Sequence, residues 1–238
     1  MNIQRRAEMA SRIPDRAFSL PVLETGYRFA ALDKPEPERS TLLTVALREH
    51  VSDKDAKTKM KWALNRVWLK PPDQAAVMIR WAVDHPDLFP DHRVMHAGAL
   101  LATFSFIGSV AELLGRSFAL DEPVTVVDLT RRAVAVWGAS STVHEGVGKT
   151  ITTLRRLEVV KGGGRTPVTP APALPVTPLG AAWLVHATML TRQAEALDVH
   201  DASQAPELFW AGDFMPSADY PLLDIHNEGV SRRVWAIR

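Results

Sequence analysis

The stretch EGVGKT, residues 145–150, ends in the Gly-Lys-Thr of a phosphate-binding P-loop. The full pattern G-x-x-x-x-G-K-[ST] also needs a glycine five residues before Gly148, where this chain has Val143. A P-loop follows a hydrophobic strand, whereas the preceding VVDLTRRAVAVWG has helical spacing. The sequence therefore favours a helix that contains Gly146 and Gly148, each costing about 1 kcal/mol relative to alanine. A P-loop-like nucleotide-binding enzyme stays as a less favoured alternative.

Two stretches that contain histidine could support metal or acid–base chemistry. His92 and His96 are four residues apart, as a metal-binding pair on one helix face would be, but no H-E-x-x-H pattern accompanies them. The sequence favours one capping and one buried histidine, with no metal. Near the C-terminus, Asp224, His226 and Glu228 would share one side of an extended segment. A polar loop is favoured there over a catalytic or metal cluster.

The composition removes several classes of catalytic site. The chain has no cysteine, which excludes disulfides, thiolate zinc sites and cysteine nucleophiles. No G-x-S-x-G motif is present to anchor serine hydrolase chemistry. We therefore expect a protein that is not an enzyme and has no cofactor. The N-terminus lacks an apolar signal core, and polar residues interrupt the apolar stretch 94–114, so we expect a cytoplasmic protein outside membranes.

Charge is distributed unevenly along the chain, although the net charge is only +1. Residues 48–70 carry seven Lys or Arg against three acids, and residues 149–165 carry five against Glu158 alone. Residues 195–228 carry eight acids and no Lys or Arg. Such asymmetry indicates a basic face for a polyanionic partner. An uneven solvated surface without a partner is the alternative.

Helical spacing of apolar residues dominates the first half of the chain. It predicts helices at about 41–50, 53–68, 74–85 and 91–115. We expect a mainly α fold, with a helical N-terminal half followed by a winged helix-turn-helix with a short β-hairpin. The expected organisation is an irregular N-terminal arm at 1–38, a helical domain at 39–120 with a second helix-turn-helix as an option, the winged helix-turn-helix at 121–192 and an acidic C-terminal segment at 193–238.

The stretch from Val127 to Pro170 has the order of a winged helix-turn-helix. One helix ends at Trp137, and a second has apolar residues from Val143 to Leu157 on one face, before the hairpin VVKGGGRTPVTP. The second helix, the hairpin and the basic helix 53–68 would present polar and basic groups to duplex DNA. The predicted DNA-binding residues are Ser141, His144, Lys149, Thr152, Thr153, Arg156, Lys161, Arg165, Lys57, Lys59, Lys61 and Arg66. A winged helix that only docks other proteins, as a scaffold, is the main alternative.

The order of KTKMKWALNRVW, a long apolar helix and STVHEGVGKTITTLRRLEVV resembles the small BrxA-type accessory proteins of bacterial BREX phage-defence systems. The resemblance covers roughly residues 40–180 and is one of layout, since Glu158-Val159 stands where a Gly-Leu step is common. It implies a non-enzymatic DNA-binding component or regulator of a bacterial antiviral defence system. Its implied partners are double-stranded DNA and other defence-system proteins.

Overall fold

The computed structural model describes residues 13–228 and 231–237, which form a mainly helical fold with two small antiparallel sheets. The helices are α1 (Leu20–Ala30), α2 (Glu36–Ala46), α3 (Lys54–Leu64), α4 (Asp73–Asp84), α5 (His92–Thr103), α6 (Ser105–Phe118), α7 (Val126–Trp137), α8 (Ser141–Arg156), α9 (Pro178–Arg192) and α10 (Val199–Ser203). The strands are β1 (Val160–Gly163), β2 (Thr166–Pro170), β3 (Ala196–Asp198), β4 (Leu223–Glu228) and β5 (Ser231–Ala236). A π-helical turn, Asn65–Leu69, extends α3, and 3-10 turns span Pro86–Leu88 and Pro206–Leu208.

Side chains cap the first turn of three helices. The Asp53 carboxylate accepts the Ala56 N–H of α3 at 2.7 Å, and Ser140 Oγ accepts the Val143 N–H of α8 at 3.2 Å. Thr177 Oγ1 accepts the Gly180 N–H of α9 at 3.0 Å. Such bonds satisfy N–H groups that have no partner within the first turn.

The N-terminal region is more ordered than the sequence predicts. Residues 1–12 of the expected irregular arm lie outside the described residues, but α1 and the start of α2 fall within 1–38. Leu23, Tyr27 and Ala30 recur at helical spacing on the buried side of α1. The prolines of this region stand before or within the first turn of α1 and α2, where a missing N–H costs nothing.

The predicted helix 91–115 is two helices. Helices α5 and α6 meet at Phe104 with a bend of 114°. The apolar pattern runs through the break without glycine or proline at residue 104, so the sequence does not mark it. Among the described helices none is by itself long and apolar enough to cross a membrane, and α5 with α6 meets that length and composition only as a bent pair.

The buried side chains form one hydrophobic cluster that extends from Ile13 to Val234. At its centre α9 packs on α5, and Trp183 donates its indole N–H to the Met78 carbonyl at 3.0 Å. A Cβ on Gly98 would lie 2.1 Å from the Trp183 ring, so this close approach of α5 to α9 requires glycine. The core thus joins segments that the sequence assigned to separate domains.

The acidic C-terminal segment also has regular structure, although the sequence predicts irregular chain there. Strand β5 lies between β3 and β4, antiparallel to both. The Glu207 carboxylate, 1% exposed, receives two hydrogen bonds of 2.7 Å from the Arg192 guanidinium at the end of α9. One of the acids therefore anchors the segment to the helical core.

Candidate functional site

The EGVGKT stretch lies inside α8 and has no loop geometry. The Thr150 hydroxyl that a P-loop would offer to a metal ion is completely buried, and Lys149 Nζ lies 2.8 Å from Glu145 Oε2. The element before α8 is the helix α7. Ser140 caps the helix, and Glu145 pairs with Lys149 one turn further on. The fold therefore gives the P-loop alternative no phosphate cradle at these residues.

Most of the predicted contact residues on α8 lie on its solvent side. Ser141, His144 and Arg156 are exposed, while Lys149 and Thr152 are half-buried. Arg155 is also exposed on this helix and was missed by the sequence-based prediction. Its guanidinium comes within 3.9 Å of where a Cβ on Gly163 would stand, so it extends from α8 towards the hairpin.

Thr153 does not belong to the interface, contrary to the prediction. Its side chain is fully buried, where its hydroxyl accepts the Phe18 N–H at 3.0 Å and donates to the Lys149 carbonyl at 2.9 Å. Residues 13–18 cover this side of α8, with Ile13 packed near Gly146. Because the sequence assigned residues 13–18 to an irregular arm, it left Thr153 on an open face.

Both cations predicted to contact DNA from the hairpin β1–β2 are accessible to solvent. Lys161 and Arg165 are both exposed. Between them, Gly162, Gly163 and Gly164 all have positive φ values, of 74°, 90° and 69°, which let the tip turn tightly. Lys161 and Arg155 also line a cleft of about 590 Å³ whose floor includes the proline-rich residues 171–175.

The basic helix α3 brings Lys59 close enough to Glu145 of α8 for their charges to interact. Lys59 is exposed, Lys57 and Lys61 are half-buried, and no carboxylate among residues 13–228 and 231–237 forms a salt bridge with them. The pKa of Glu145 is lowered chiefly by its hydrogen bond with Lys149, and the charge of Lys59 lowers it further. The charge of Lys59 on α3 therefore acts on the same stretch of surface as that of Lys149 on α8.

Arg66, which the sequence predicts to contact DNA, makes several contacts within the fold. Its Nε donates to the Thr103 carbonyl at 3.1 Å, and its guanidinium lies 5.5 Å from the centroid of the Phe104 ring. It is half-buried and also lies 5.9 Å from the Trp62 ring centroid. Arg66 lies in the π-helical turn that follows α3, and these contacts hold it against the bend between α5 and α6.

A second cluster unites the predicted histidine pair with a carboxylate that the sequence analysis missed. Glu24 Oε1 of α1 lies 2.8 Å from His92 Nδ1 and 3.0 Å from His96 Nε2. Asp91 lies apart from this cluster, since it binds Arg93 and caps α5. No local pattern could have revealed Glu24, because it is 72 residues from His96 and lies in the stretch predicted to be irregular.

The C-terminal acidic and histidine residues lie in β4, in an extended strand where the sequence favoured a polar loop. His226 Nδ1 is 3.4 Å from the Asp224 carboxylate, and both side chains are substantially exposed. The side chain of Glu228 lies outside what the structure describes. The exposed Asp224–His226 pair has no surrounding pocket wall among the described cavities.

The residues that could bind a ligand thus form two groups. The first is the cationic surface of α8, the hairpin and α3. The second is the cluster of Glu24, His92 and His96. Comparison with known proteins finds no match for the chain among protein-family models, curated proteins or solved structures.

Proposed function

We propose that the protein binds double-stranded DNA through a winged helix-turn-helix formed by α6, α7, α8 and the hairpin β1–β2. The order of elements supports this proposal. The Val168 N–H of β2 donates to the Val124 carbonyl at 2.7 Å, which adds a one-residue bridge between α6 and α7 to the hairpin. A winged helix has this order of elements: a helix, a short strand, two helices and a two-stranded wing. Its last helix is the one that enters a DNA groove.

The observation that carries the proposal is the one-sided charge of this surface. Residues 141–170 contain five cations and two carboxylates, and Lys59 of α3 adds a positive charge that acts at Glu145. Both carboxylates are already engaged, Glu145 with Lys149 and Glu158 with Arg93. Cations in this arrangement can replace the counterions condensed on DNA phosphates, which is the main source of sequence-independent affinity.

The side chains divide into two roles by chemistry and position. Ser141, His144 and Thr152 are polar groups on the outer side of α8, suited to hydrogen bonds with base edges. The cations around them would contact phosphates and set the orientation on the duplex. These proposed phosphate contacts are Lys149, Arg155, Arg156, Lys161, Arg165, Lys57, Lys59 and Lys61.

A salt series with a fluorescent duplex of random sequence tests the proposal directly. Affinity should fall steeply with salt, and Lys161→Ala combined with Arg165→Ala should lower the slope of log K against log salt by about two units. The matched control is Arg80→Ala, which removes an exposed cation that pairs with Asp84 and belongs to α4, an element outside the proposed surface. The control should bind like the parent.

Glu145→Gln supplies a test of opposite sign. This change removes a negative charge from the middle of the proposed surface and frees Lys149, so DNA binding should become tighter. A parent protein that gives no binding at low salt and micromolar concentration would refute DNA binding. The same elements would then be assigned to protein docking, the alternative use of a winged helix.

The resemblance to BrxA-type proteins leads us to propose a biological setting for this activity. On that proposal the protein is a non-enzymatic component or regulator of a bacterial antiviral defence system, and other defence-system proteins are its partners. Phage plating on a host that carries the complete system tests it. The Lys161→Ala, Arg165→Ala variant should lower protection, and Arg80→Ala should leave it unchanged.

A further inference from the structure

The cluster of Glu24, His92 and His96 has the composition and spacing of a metal site. Helix α5 starts at His92, so His92 and His96 stand one turn apart on the same side of the helix. Helix α1 brings Glu24 against both rings. One nitrogen of each histidine and one carboxylate oxygen all lie within 4.8 Å of one another, a spacing that one shared ion can bridge.

The walls of the cluster are aromatic on the inner side and open on the outer side. Trp68 lies edge-on to His96, with ring centroids 5.3 Å apart, and Tyr27 lies 5.8 Å from His92. His96 is fully buried, and its Nδ1 has no hydrogen-bond partner among the described residues. The side chains of His92 and Glu24 remain 40% and 29% exposed. Solvent therefore reaches the outer side of the cluster.

We propose that Glu24, His92 and His96 bind one divalent transition-metal ion of the Zn²⁺ class, with water in the outward-facing position. Two imidazoles and one carboxylate form a nitrogen and oxygen ligand set that suits Zn²⁺, and it leaves one tetrahedral position open. None of its ligands belongs to α3, α8 or the hairpin, the elements of the proposed DNA surface. The bound ion would tie α1 to α5.

Calorimetric titration of the EDTA-treated, dialysed full chain with ZnCl₂ tests this proposal. The parent should bind one Zn²⁺ per chain with a micromolar or tighter Kd. His92→Ala removes a partly exposed ligand and should weaken binding by at least about 100-fold, beyond the loss known for groups that only support a ligand. Glu24→Gln should do the same. His144→Ala, which removes an exposed histidine on α8, is the matched control and should bind like the parent.

The visible spectrum with Co²⁺ provides a second readout that reports on coordination. Tetrahedral coordination should give an intense absorption band in the parent and in His144→Ala, and His92→Ala should lose it. Circular dichroism checks that His92→Ala is folded. The proposal is overturned if the parent shows no saturable binding of one ion, or if His92→Ala and Glu24→Gln bind Zn²⁺ as the parent does. The cluster would then be a hydrogen-bonded contact between α1 and α5 only.

Discussion

Gly146 and Gly148 of α8 offer a matched pair of substitutions, because they share a helix and differ in their surroundings. A Cβ on Gly148 would meet nothing within 4 Å. A Cβ on Gly146 would lie 2.6 Å from Ile13 Cγ2 and 2.9 Å from Phe106 Cε1. Both changes to alanine remove the same flexibility from the unfolded chain, so their difference isolates the packing of Ile13 and Phe106 against Gly146.

The expected magnitudes follow from these distances. Gly148→Ala should stabilise the protein by about 1 kcal/mol, the helix propensity difference, which corresponds to a rise in Tm of roughly 2–4 °C for a chain of this size. Gly146→Ala has the same propensity gain but must displace Ile13 or the Phe106 ring. Forcing an extra group into a packed core costs about 1–3 kcal/mol, so the net effect should be destabilising by up to about 2 kcal/mol.

Thermal and urea unfolding followed by circular dichroism measure both variants. Gly148→Leu and Gly146→Leu enlarge the contrast, since only the second adds a large side chain against Ile13 and Phe106. If Gly146→Ala is as stable as Gly148→Ala, the close packing of Ile13 and Phe106 against Gly146 is refuted. A separate calorimetric titration of the parent protein with Mg-ATP should show no heat of binding, because a helix at Gly146 and Gly148 leaves no phosphate-binding loop there.

Three further outcomes are expected. Leu154→Ala should lower the free energy of unfolding by about 2–5 kcal/mol in urea melts, since Leu154 is 2% exposed on the inner side of α8. Burial lowers the pKa of His186 to about 4 from 6.5, so between these pH values the unfolded chain binds a proton that the folded chain does not. The free energy of unfolding should therefore fall by about 3 kcal/mol as pH drops from 6.5 to 4, and His186→Gln should flatten that part of the stability curve. Arg192→Ala leaves the buried Glu207 carboxylate unpaired and should cost about 3–5 kcal/mol in the same melts, whereas Arg192→Lys should cost less.

Features that depend on a few neighbouring residues were predictable from the sequence. The buried positions Ile151 and Leu154 of α8 follow from the helical spacing of its apolar residues. The hairpin followed from two short strands around consecutive glycines. On the proposed DNA surface, the exposure of Lys161 and Arg165 at the hairpin was predicted for the same local reason.

Features that depend on distant partners were not predictable. Thr153 is 135 residues from Phe18, the residue that covers it, and His96 is 72 residues from Glu24. The bend at Phe104 likewise follows from packing of α5 and α6 on other helices, since the residues on both sides of it are apolar and helical in pattern. A single sequence reports periodicity, but it does not report which face a distant segment covers.

The hydrogen bond between the Phe18 N–H and Thr153 also constrains the order of folding during synthesis. Phe18 is synthesised 135 residues before Thr153, so this bond cannot form until Thr153 has been added. At 5–20 residues per second the delay is roughly 7–27 s. During that interval Ile13 and Phe18, both buried in the finished fold, have no α8 to cover them. Residues 13–18 should therefore pack onto α8 late in folding. Limited proteolysis of nascent chains should cut this segment until α8 has emerged from the ribosome.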